Sequence, residues 1–102
     1  MIIRFEWDPY KARANFRKHR VSFQEAATIF GDDLASTFPD PVHSVGEERL
    51  ITFGMSHQRR LLAVMHTERS EPDPDGNPVR IVRIISARRA TRPERQAYEE
   101  AR

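Results

Sequence analysis

Arginines in the last quarter of the chain are the residues whose type and spacing best fit a chemical role. Arg83 lies within the β-branched run 79–85, between Ile81 and Ile85, and Arg88 follows shortly after. A guanidinium presents N–H donors in a planar fork that matches phosphate oxygens. Because a buried unpaired charge costs several kcal/mol or more, an arginine in such a strand needs an anionic partner or an open face. The segment therefore favours a site that holds phosphates.

A strand and a helix must position these arginines. Apolar residues at both odd and even positions of 79–85 predict a strand covered on both faces and therefore central in its sheet. Thr91 is a suitable N-cap, Pro93 fits the first turn, and Glu94 stands three residues after Thr91, as in a capping box. The sequence therefore predicts a central strand that runs into a C-terminal helix.

A strand and two helices are predicted for the first third of the chain. Residues 3–7 alternate apolar and charged side chains, as in a half-buried strand. Asp8 as N-cap and Pro9 at the first position begin a helix, and Ser22 with Glu25 predicts a capping box for a second, short helix. The first helix should end near His19 with a weak apolar stripe of Tyr10, Ala14 and Phe16, and the second should bury Phe23, Ala26, Ala27 and Phe30.

The middle of the chain reads as strands and loops. We expect a loop at residues 38–46, strands at 49–56 and 60–69, and a long, mobile hairpin loop at 72–78, which is rich in proline and aspartate. The predicted order is β-α-α-β-β-β-α. This is an α+β domain with an antiparallel sheet and helices on one face, formed by residues 1–102.

Composition limits the classes of protein that need consideration. The 102 residues, 38% hydrophobic and 31% charged, fit one soluble domain with a modest core. No apolar run approaches the roughly 18 residues of a membrane span, and no signal peptide is recognisable, so a cytoplasmic address is expected. Cysteine is absent, which excludes disulfides and thiolate metal sites. Neither zinc-like ligand spacing nor a glycine-rich phosphate loop occurs, so no metal and no other cofactor is expected.

Basic residues gather at the two ends of the chain. Residues 1–30 hold six Lys and Arg against three Asp and Glu, and residues 79–102 hold seven against three, whereas residues 31–78 hold four against nine. If the ends meet in space, they form a basic patch with an acidic rim, as expected for a protein that binds a polyanion. A solvated, arginine-rich surface explains the same composition equally well.

Four segments carry a resemblance to a known family. They begin at Phe5 (FEWDPYKARANFRKHRVSFQEAATIF), His43 (HSVGEERLITFGMS), Arg59 (RRLLAVMHTER) and Arg83 (RIISARRATRPERQAYEEA). Together they resemble the BrnT-type toxins of bacterial toxin–antitoxin pairs. The resemblance implies a RelE-like fold and an endoribonuclease that blocks growth by cutting RNA. It also implies neutralisation by a small BrnA-type antitoxin, a ribbon-helix-helix protein that binds operator DNA.

Three features depart from the family's pattern. Arg20 stands where a glycine is expected to end the first helix, and Arg59 stands where a glycine usually precedes Arg60. The PDPDGNP loop is longer than usual. None of the three touches the RIISAR segment, but Arg20 could alter the hinge between the first two helices.

Metal-independent RNA cleavage needs a base for the 2′-hydroxyl, cations for the charge that grows on the phosphate, and an acid for the leaving oxygen. Arg60, Arg83 and Arg88 are the candidate cations, on strands that could converge on one sheet face or edge. Strand parity places Arg88 with Ser86 and not with Arg83. A β-bulge or a strand end is therefore needed for both to reach one phosphate.

Proton transfer has several candidates. Lys18 and His19 join the three arginines as candidate catalytic residues, while Glu48 and His66 are further possibilities, since histidine titrates near neutral pH. A histidine on an apolar strand, such as His66, is more often structural, and His43 and His57 sit in predicted loops. RelE-like enzymes often rely on the placement of cations and not on a strong base, so the resemblance also allows catalysis without any of these histidines. The residues assigned to RNA binding are Lys11, Asn15, His66 and Arg89, although a solvated helix surface also explains the polar side that contains Lys11, Asn15, Lys18 and His19.

Two functions are compatible with the sequence. The first is a ribonuclease toxin, and the second is a non-catalytic basic module that binds an antitoxin's acidic segment or nucleic acid. A pure binding surface needs no charge between Ile81 and Ile85, which favours the first. The expected partners are a BrnA-type antitoxin and an RNA substrate, with a toxin homodimer in the complex, operator DNA reached only through the antitoxin, and no membrane.

Overall fold

A computed structural model describes residues 2–40 and 46–101. It confirms an α+β domain, with one strand more than predicted. Within the described residues, no helix is long and apolar enough to cross a membrane. The elements are β1 (Ile2–Glu6), α1 (Pro9–His19), α2 (Phe23–Thr28) with a 3-10 turn (Ile29–Gly31), β2 (Ser36–Pro39), β3 (Leu50–Met55), β4 (Leu61–Pro72), β5 (Pro78–Arg89) and α3 (Arg92–Glu100).

The five strands form one sheet in the order β1-β5-β4-β3-β2. β5 is central, as predicted, because it pairs with β1 on one side and with β4 on the other. The sheet is not wholly antiparallel, since β1 runs parallel to β5. The predicted loop at 38–46 is wrong at its start, because Phe38 and Pro39 pair with β3 as part of β2. Residues 41–45, which include His43, lie outside the described residues.

The two faces of the sheet are covered by different helices. We call the face that bears Val82, Ile84 and Ala87 the helix face, because those residues form the main core with Val21, Phe23, Ala26 and Ile29 of the α1–α2 region. The opposite face, bearing Ile81 and Arg83, we call the second face. α3 contacts β3 at one end of it, where Tyr98 and Ala97 line a pocket together with Phe38 and Phe53. The prediction that all helices share one face is therefore wrong.

Capping chemistry sets the helix ends. Asp8 accepts backbone hydrogen bonds from Tyr10 and Lys11, and Pro9 occupies the first turn of α1. Thr91 and Glu94 form the predicted capping box of α3. The sequence indicates a partly exposed helix with a weak apolar stripe, and α1 is indeed partly exposed. The stripe itself does not face the core, because Tyr10 is 76% exposed and Phe16 is 46% exposed. The side of α1 that faces the sheet instead carries Ala12, Asn15 and His19, which lie three and four residues apart.

A tight turn joins β4 to β5. The Asp73 carboxylate accepts hydrogen bonds from the backbone N–H groups of Asp75 and Asn77. Gly76 has a φ of 85°, a conformation that glycine adopts without steric cost. The PDPDGNP segment therefore closes the hairpin with hydrogen bonds of its own.

Candidate nucleic-acid interface

A β-bulge places Arg83 and Arg88 on the same face of the sheet. Along the β4–β5 ladder, Arg83 pairs with Thr67 and Arg88 pairs with Ala63, but the register shifts between Met65 and His66. Ile85 is left without a partner on β4, so the alternation of β5 side chains changes phase there. Thr67 and Ala63 are four residues apart on β4, so the two arginines are separated by roughly 13 Å along the strands. The sequence predicts that Arg83 and Arg88 can share a face only through a bulge or a strand end, and the structure has that bulge.

The guanidinium of Arg83 is half exposed and loosely paired. It lies 3.7 Å from the Glu6 carboxylate, with side-chain exposures of 47% for Arg83 and 37% for Glu6. Glu6 is held more closely by Arg69, which donates hydrogen bonds of 2.5 and 3.3 Å to it. The Arg69 hydrogen bond is also the main cause that lowers the pKa of Glu6. Arg83 is therefore not locked by a core carboxylate, and the exposed Glu48 does not fill that role either.

Arg88 is bound more firmly than Arg83. Its guanidinium donates hydrogen bonds of 2.7 and 3.0 Å to the two carboxylate oxygens of Glu94. This contact lowers the pKa of Glu94 to about 2. Because Glu94 also accepts the backbone N–H of Thr91, Arg88 ties the end of β5 to the start of α3. Arg88 thus has a structural role whatever else it binds.

A shallow depression lies on the second face between the two arginines. Met65, Ile85 and Ser86 line it together with Asp40 and Arg49, and it has a volume of about 150 Å³. Met65 and Ser86 are cross-strand neighbours, so the depression sits at the bulge itself. An apolar floor flanked by arginines can accept a sugar or a base beside a bound phosphate.

Arg60 does not join this site. Its side chain lies on the helix face, where it forms an ion pair with Glu25 and donates a 3.0 Å hydrogen bond to the Arg20 carbonyl. Glu25 is 1% exposed and also accepts a hydrogen bond from Ser56. The predicted convergence of Arg60 with Arg83 and Arg88 is therefore wrong. The second capping box is also only half formed, because Glu25 binds Arg60 and Ser56 instead of turning back to Ser22.

The comparisons with known proteins identify the family. The family model of the BrnT ribonuclease toxin of type II toxin–antitoxin systems matches residues 7–94. The chain belongs to the BrnT family. The crystal structure of the Brucella abortus ribonuclease toxin BrnT, at 1.1 Å resolution, shows the same fold, with a TM-score of 0.59 and 21% sequence identity over 90% of this chain and 100% of that one. A comparison with curated proteins gives no match.

Membership of the BrnT family places RNA and an antitoxin among this chain's interaction partners. The expected α+β fold is confirmed, because the five-stranded sheet and three helices match the BrnT structure. Within residues 2–40 and 46–101, no three His, Cys, Asp or Glu side chains cluster closely enough to hold a metal ion.

The two arginines at positions where the resemblance leads us to expect glycine have left-handed backbones. Arg20 has a φ of 58° and Arg59 a φ of 60°. A left-handed backbone costs an L-amino acid about 1–2 kcal/mol, whereas achiral glycine adopts it freely, so glycine would be favoured at both positions. Arg20 still ends α1 in the expected way, because its N–H donates to the Phe16 carbonyl. The hinge between α1 and α2 therefore has a left-handed residue although that residue is an arginine.

Two residues assigned to RNA binding are buried. Asn15 is 8% exposed, and its side-chain amide forms hydrogen bonds with backbone groups. It donates to the carbonyls of Val21 and Ala87 and accepts from the N–H of Ala87. His66 is 0% exposed and lies 2.7 Å from the Thr52 hydroxyl. Burial lowers the pKa of His66 to about 4. Neither side chain is accessible to a polynucleotide, so both are structural residues here.

The other predicted residues lie outside the depression. Lys18 and His19 end α1, while Arg89 ends β5 opposite Leu62. The bond from Arg60 to the Arg20 carbonyl brings the end of α1 to the start of β4, so these residues mark one end of the sheet. Lys11 is exposed on the first turns of α1. His57, in the β3–β4 connection, contacts the Thr28 hydroxyl.

Sequence reasoning missed Arg49 beside the depression. The signal was strand parity, since Arg49 precedes β3 in phase with Ile51, which pairs with Met65 on the second face. It also missed that Glu25 and Glu94 are partners of Arg60 and Arg88. Those ion pairs join residues from different elements, which local pattern does not reveal.

Proposed function

We propose that this chain is a metal-independent endoribonuclease toxin that binds RNA across the second face, between Arg83 and Arg88. The observation that carries the proposal is the bulge at Ile85, which turns both guanidinium groups to one open face of a strand paired on both sides. Membership of the BrnT family supplies the reaction class. Rigid placement of cations is what preorganised stabilisation of a transition state requires.

The reaction would be an in-line attack within the RNA chain. The 2′-oxygen loses its proton and forms a bond to the adjacent phosphorus, while the bond from phosphorus to the 5′-oxygen breaks and that oxygen takes up a proton. The products are a 2′,3′-cyclic phosphate and a 5′-hydroxyl. Negative charge grows on the phosphate oxygens during this step, where Arg83 can stabilise it.

Arg83 is the better candidate for the reacting phosphate. Its ion pair with Glu6 is loose and half exposed. If a phosphate takes the place of Glu6 beside Arg83, Glu6 still has its ion pair with Arg69. Arg88 is already occupied by both oxygens of Glu94, so it can offer only part of its guanidinium. We therefore assign Arg83 to transition-state stabilisation and Arg88 to RNA positioning and to anchoring α3.

Placement of cations carries more of this mechanism than a strong base does. The carboxylates beside the two arginines are Glu6 and Glu94, and their pKa values are both lowered by ion pairing with arginine. Such carboxylates are weak bases at neutral pH. Lys18, His19 and Arg89, at the end of the sheet, are proposed to contact the RNA backbone flanking the reacting phosphate, and Lys11 a more distant part of it.

The proposed partner is a BrnA-type antitoxin, with two toxin chains in the complex and operator DNA bound only by the antitoxin. The type II classification of the family supports an antitoxin in general. A basic RNA-binding surface that acts on cytoplasmic RNA also has to be masked while the host grows. The mass of the co-expressed pair, measured by light scattering, tests both the partner and the stoichiometry. Copurification with nothing and harmless expression would contradict this part of the proposal.

The chemistry is tested by incubating the purified chain with RNA in excess EDTA and analysing the new ends. We expect cleavage to persist and to leave 2′,3′-cyclic phosphates and 5′-hydroxyls. Cleavage that stops in EDTA and returns with a divalent ion would reject the metal-independent mechanism.

A non-catalytic binding module is the second candidate. The observation in its favour is the bidentate pairing of Arg88 with Glu94, which resembles a stable structural contact. This function predicts RNA that is bound but stays intact under all of the conditions above.

A further inference from the structure

The outer flank of α1 exposes aromatic rings among arginines. Tyr10 is 76% exposed and Phe16 is 46% exposed, whereas apolar side chains of α1 that meet the core are on another side of the helix. Arg13 follows Tyr10 by three residues, Phe16 and Arg17 follow Arg13 by three and four, and Arg20 follows Phe16 by four, which places these residues on one flank. We call these five residues the α1 stripe. Lys11 and Lys18 lie on the other flank.

The arginines of the α1 stripe differ from those of the sheet in their surroundings. Arg13 lies 4.7 Å from the centre of the Tyr10 ring, and Arg20 lies 5.9 Å from the centre of the Phe16 ring. Arg83 and Arg88, by contrast, have carboxylate partners. α1 itself contains no Asp or Glu between Pro9 and His19. The stripe is thus a concentration of positive charge beside two exposed aromatic side chains, each with a guanidinium over one side of its ring.

A groove adjoins the stripe. Arg13, Phe16 and Arg17 form its α1 wall, Ser22 and Gln24 form the other wall, and the volume is about 400 Å³. The groove is open to solvent along α1. Since α1 and α2 cover the helix face, the groove lies on the opposite side of the sheet from Arg83 and the depression.

We infer that the α1 stripe is a second binding surface for single-stranded RNA, with bases stacked on Tyr10 and Phe16 and phosphates held by Arg13 and Arg17. Aromatic platforms beside cations are how proteins hold unpaired strands without reading a defined sequence. A duplex hides its base faces, so it would leave the two rings unused. The inference rests on the proposed function insofar as RNA is the ligand, and it adds where RNA outside the cleaved segment is held.

Binding to an RNA that cannot be cleaved tests the inference. The probe is a fluorescently labelled single-stranded 2′-O-methyl RNA, whose blocked 2′-oxygen prevents cleavage, and the readout is anisotropy over a range of salt concentrations. For Arg13→Ala/Arg17→Ala we expect at least about tenfold weaker binding and a slope of log affinity against log salt that is smaller by about 1.4, at about 0.7 per phosphate contact.

The ring positions have a different signature. Tyr10→Ala should weaken binding by about 5- to 150-fold, as expected for the loss of one base stack, without changing the salt slope. Both variants alter exposed side chains, and melting curves confirm that they fold. In cleavage assays, the same variants should raise KM and leave kcat unchanged.

The matched control is Arg92→Ala/Arg95→Ala, which removes the same charge from exposed positions of α3. An equal loss of affinity in this control would show attraction by net charge alone and would overturn the inference. Equal binding of a duplex of the same length, or wild-type binding by both stripe variants, would overturn it too. Loss of the co-expressed antitoxin from Arg13→Ala/Arg17→Ala, with RNA binding intact, would assign the stripe to the antitoxin instead.

The outcomes separate the two proposals. A wild-type chain that binds the uncleavable RNA through the stripe but cuts no RNA would reject the ribonuclease and keep the stripe. If the chain cuts RNA and the stripe variants bind RNA like wild type, the ribonuclease is supported and the α1 stripe is rejected as an RNA-binding surface.

Discussion

Replacement of Arg83 by alanine separates a role in catalysis from a role in folding. The substitution removes one ion pair, whose two side chains are 47% and 37% exposed. Exposed pairs contribute about 0–1 kcal/mol, and Glu6 is not stranded because Arg69 still binds it. We therefore expect a loss of unfolding free energy of at most about 1 kcal/mol, which lowers the Tm of a domain of this size by no more than about 4–8 °C.

The expected effect on cleavage is much larger. Removing one preorganised cation from a developing charge typically raises the barrier by about 2–4 kcal/mol, which is about 10²–10³ in rate. Arg83 meets the condition for such a loss, because its strand is paired with β1 and β4 and its position is therefore fixed. The predicted variant is folded, retains the antitoxin and has little or no ribonuclease activity.

Arg95→Ala is the matched control for this experiment. Arg95 is 49% exposed and lies 3.6 Å from Glu99. Its replacement therefore removes a surface ion pair on α3 that is similar to the pair between Arg83 and Glu6. Cleavage of a defined RNA is followed under single-turnover conditions for both variants, and thermal melts are recorded in parallel. Full cleavage by folded Arg83→Ala, an equal loss in Arg95→Ala, or a fall in Tm far beyond the predicted range would refute the reasoning.

Three further predictions concern stability. Arg60→Ala should lower the free energy of unfolding in urea by about 3–5 kcal/mol, because it leaves the Glu25 carboxylate charged at 1% exposure. Arg80→Ala is the control and should lower it clearly less, because its partner Glu68 is 23% exposed. Equal losses in the two variants would contradict this prediction. Arg20→Gly and Arg59→Gly should each stabilise the fold by about 0.5–1 kcal/mol, because they relieve left-handed backbones, and Arg17→Gly within α1 should destabilise it. The pKa of His66 is about 4 in the folded state and near 6.5 when unfolded, so the unfolded chain binds the extra proton first and stability falls as the pH drops from about 6.5 towards 4. Between pH 7 and pH 5 the loss should be about 2 kcal/mol, and a His66→Gln variant with the same pH profile as wild type would show that another group is responsible.

Much of this fold is determined by residues that are close together in the sequence. Asp8 with Pro9, and Thr91 with Glu94, begin helices because capping bonds are made within a few residues of each other. The density of β-branched residues in 79–85 likewise predicts a strand that both neighbours pair with, and β5 is that strand. The positive φ at Arg20 and Arg59 is a conformation that favours glycine, in line with the glycines that the resemblance leads us to expect there.

The site, in contrast, was decided by contacts between distant parts of the chain. Parity in the sequence separates Arg83 from Arg88, and only the pairing with β4 introduces the bulge that unites them. Arg60 looked equivalent to both, but its ion pair with Glu25, 35 residues away, draws it to the helix face.

Burial also depended on distant contacts. Asn15 reads as a surface residue of a polar helix until the carbonyl of Ala87, 72 residues away, accepts its amide. A side chain's type and its neighbours in sequence determine which element it favours. Its partners across the sheet determine whether it faces solvent or the core, and those depend on strand register, which is set by the packing of the whole domain.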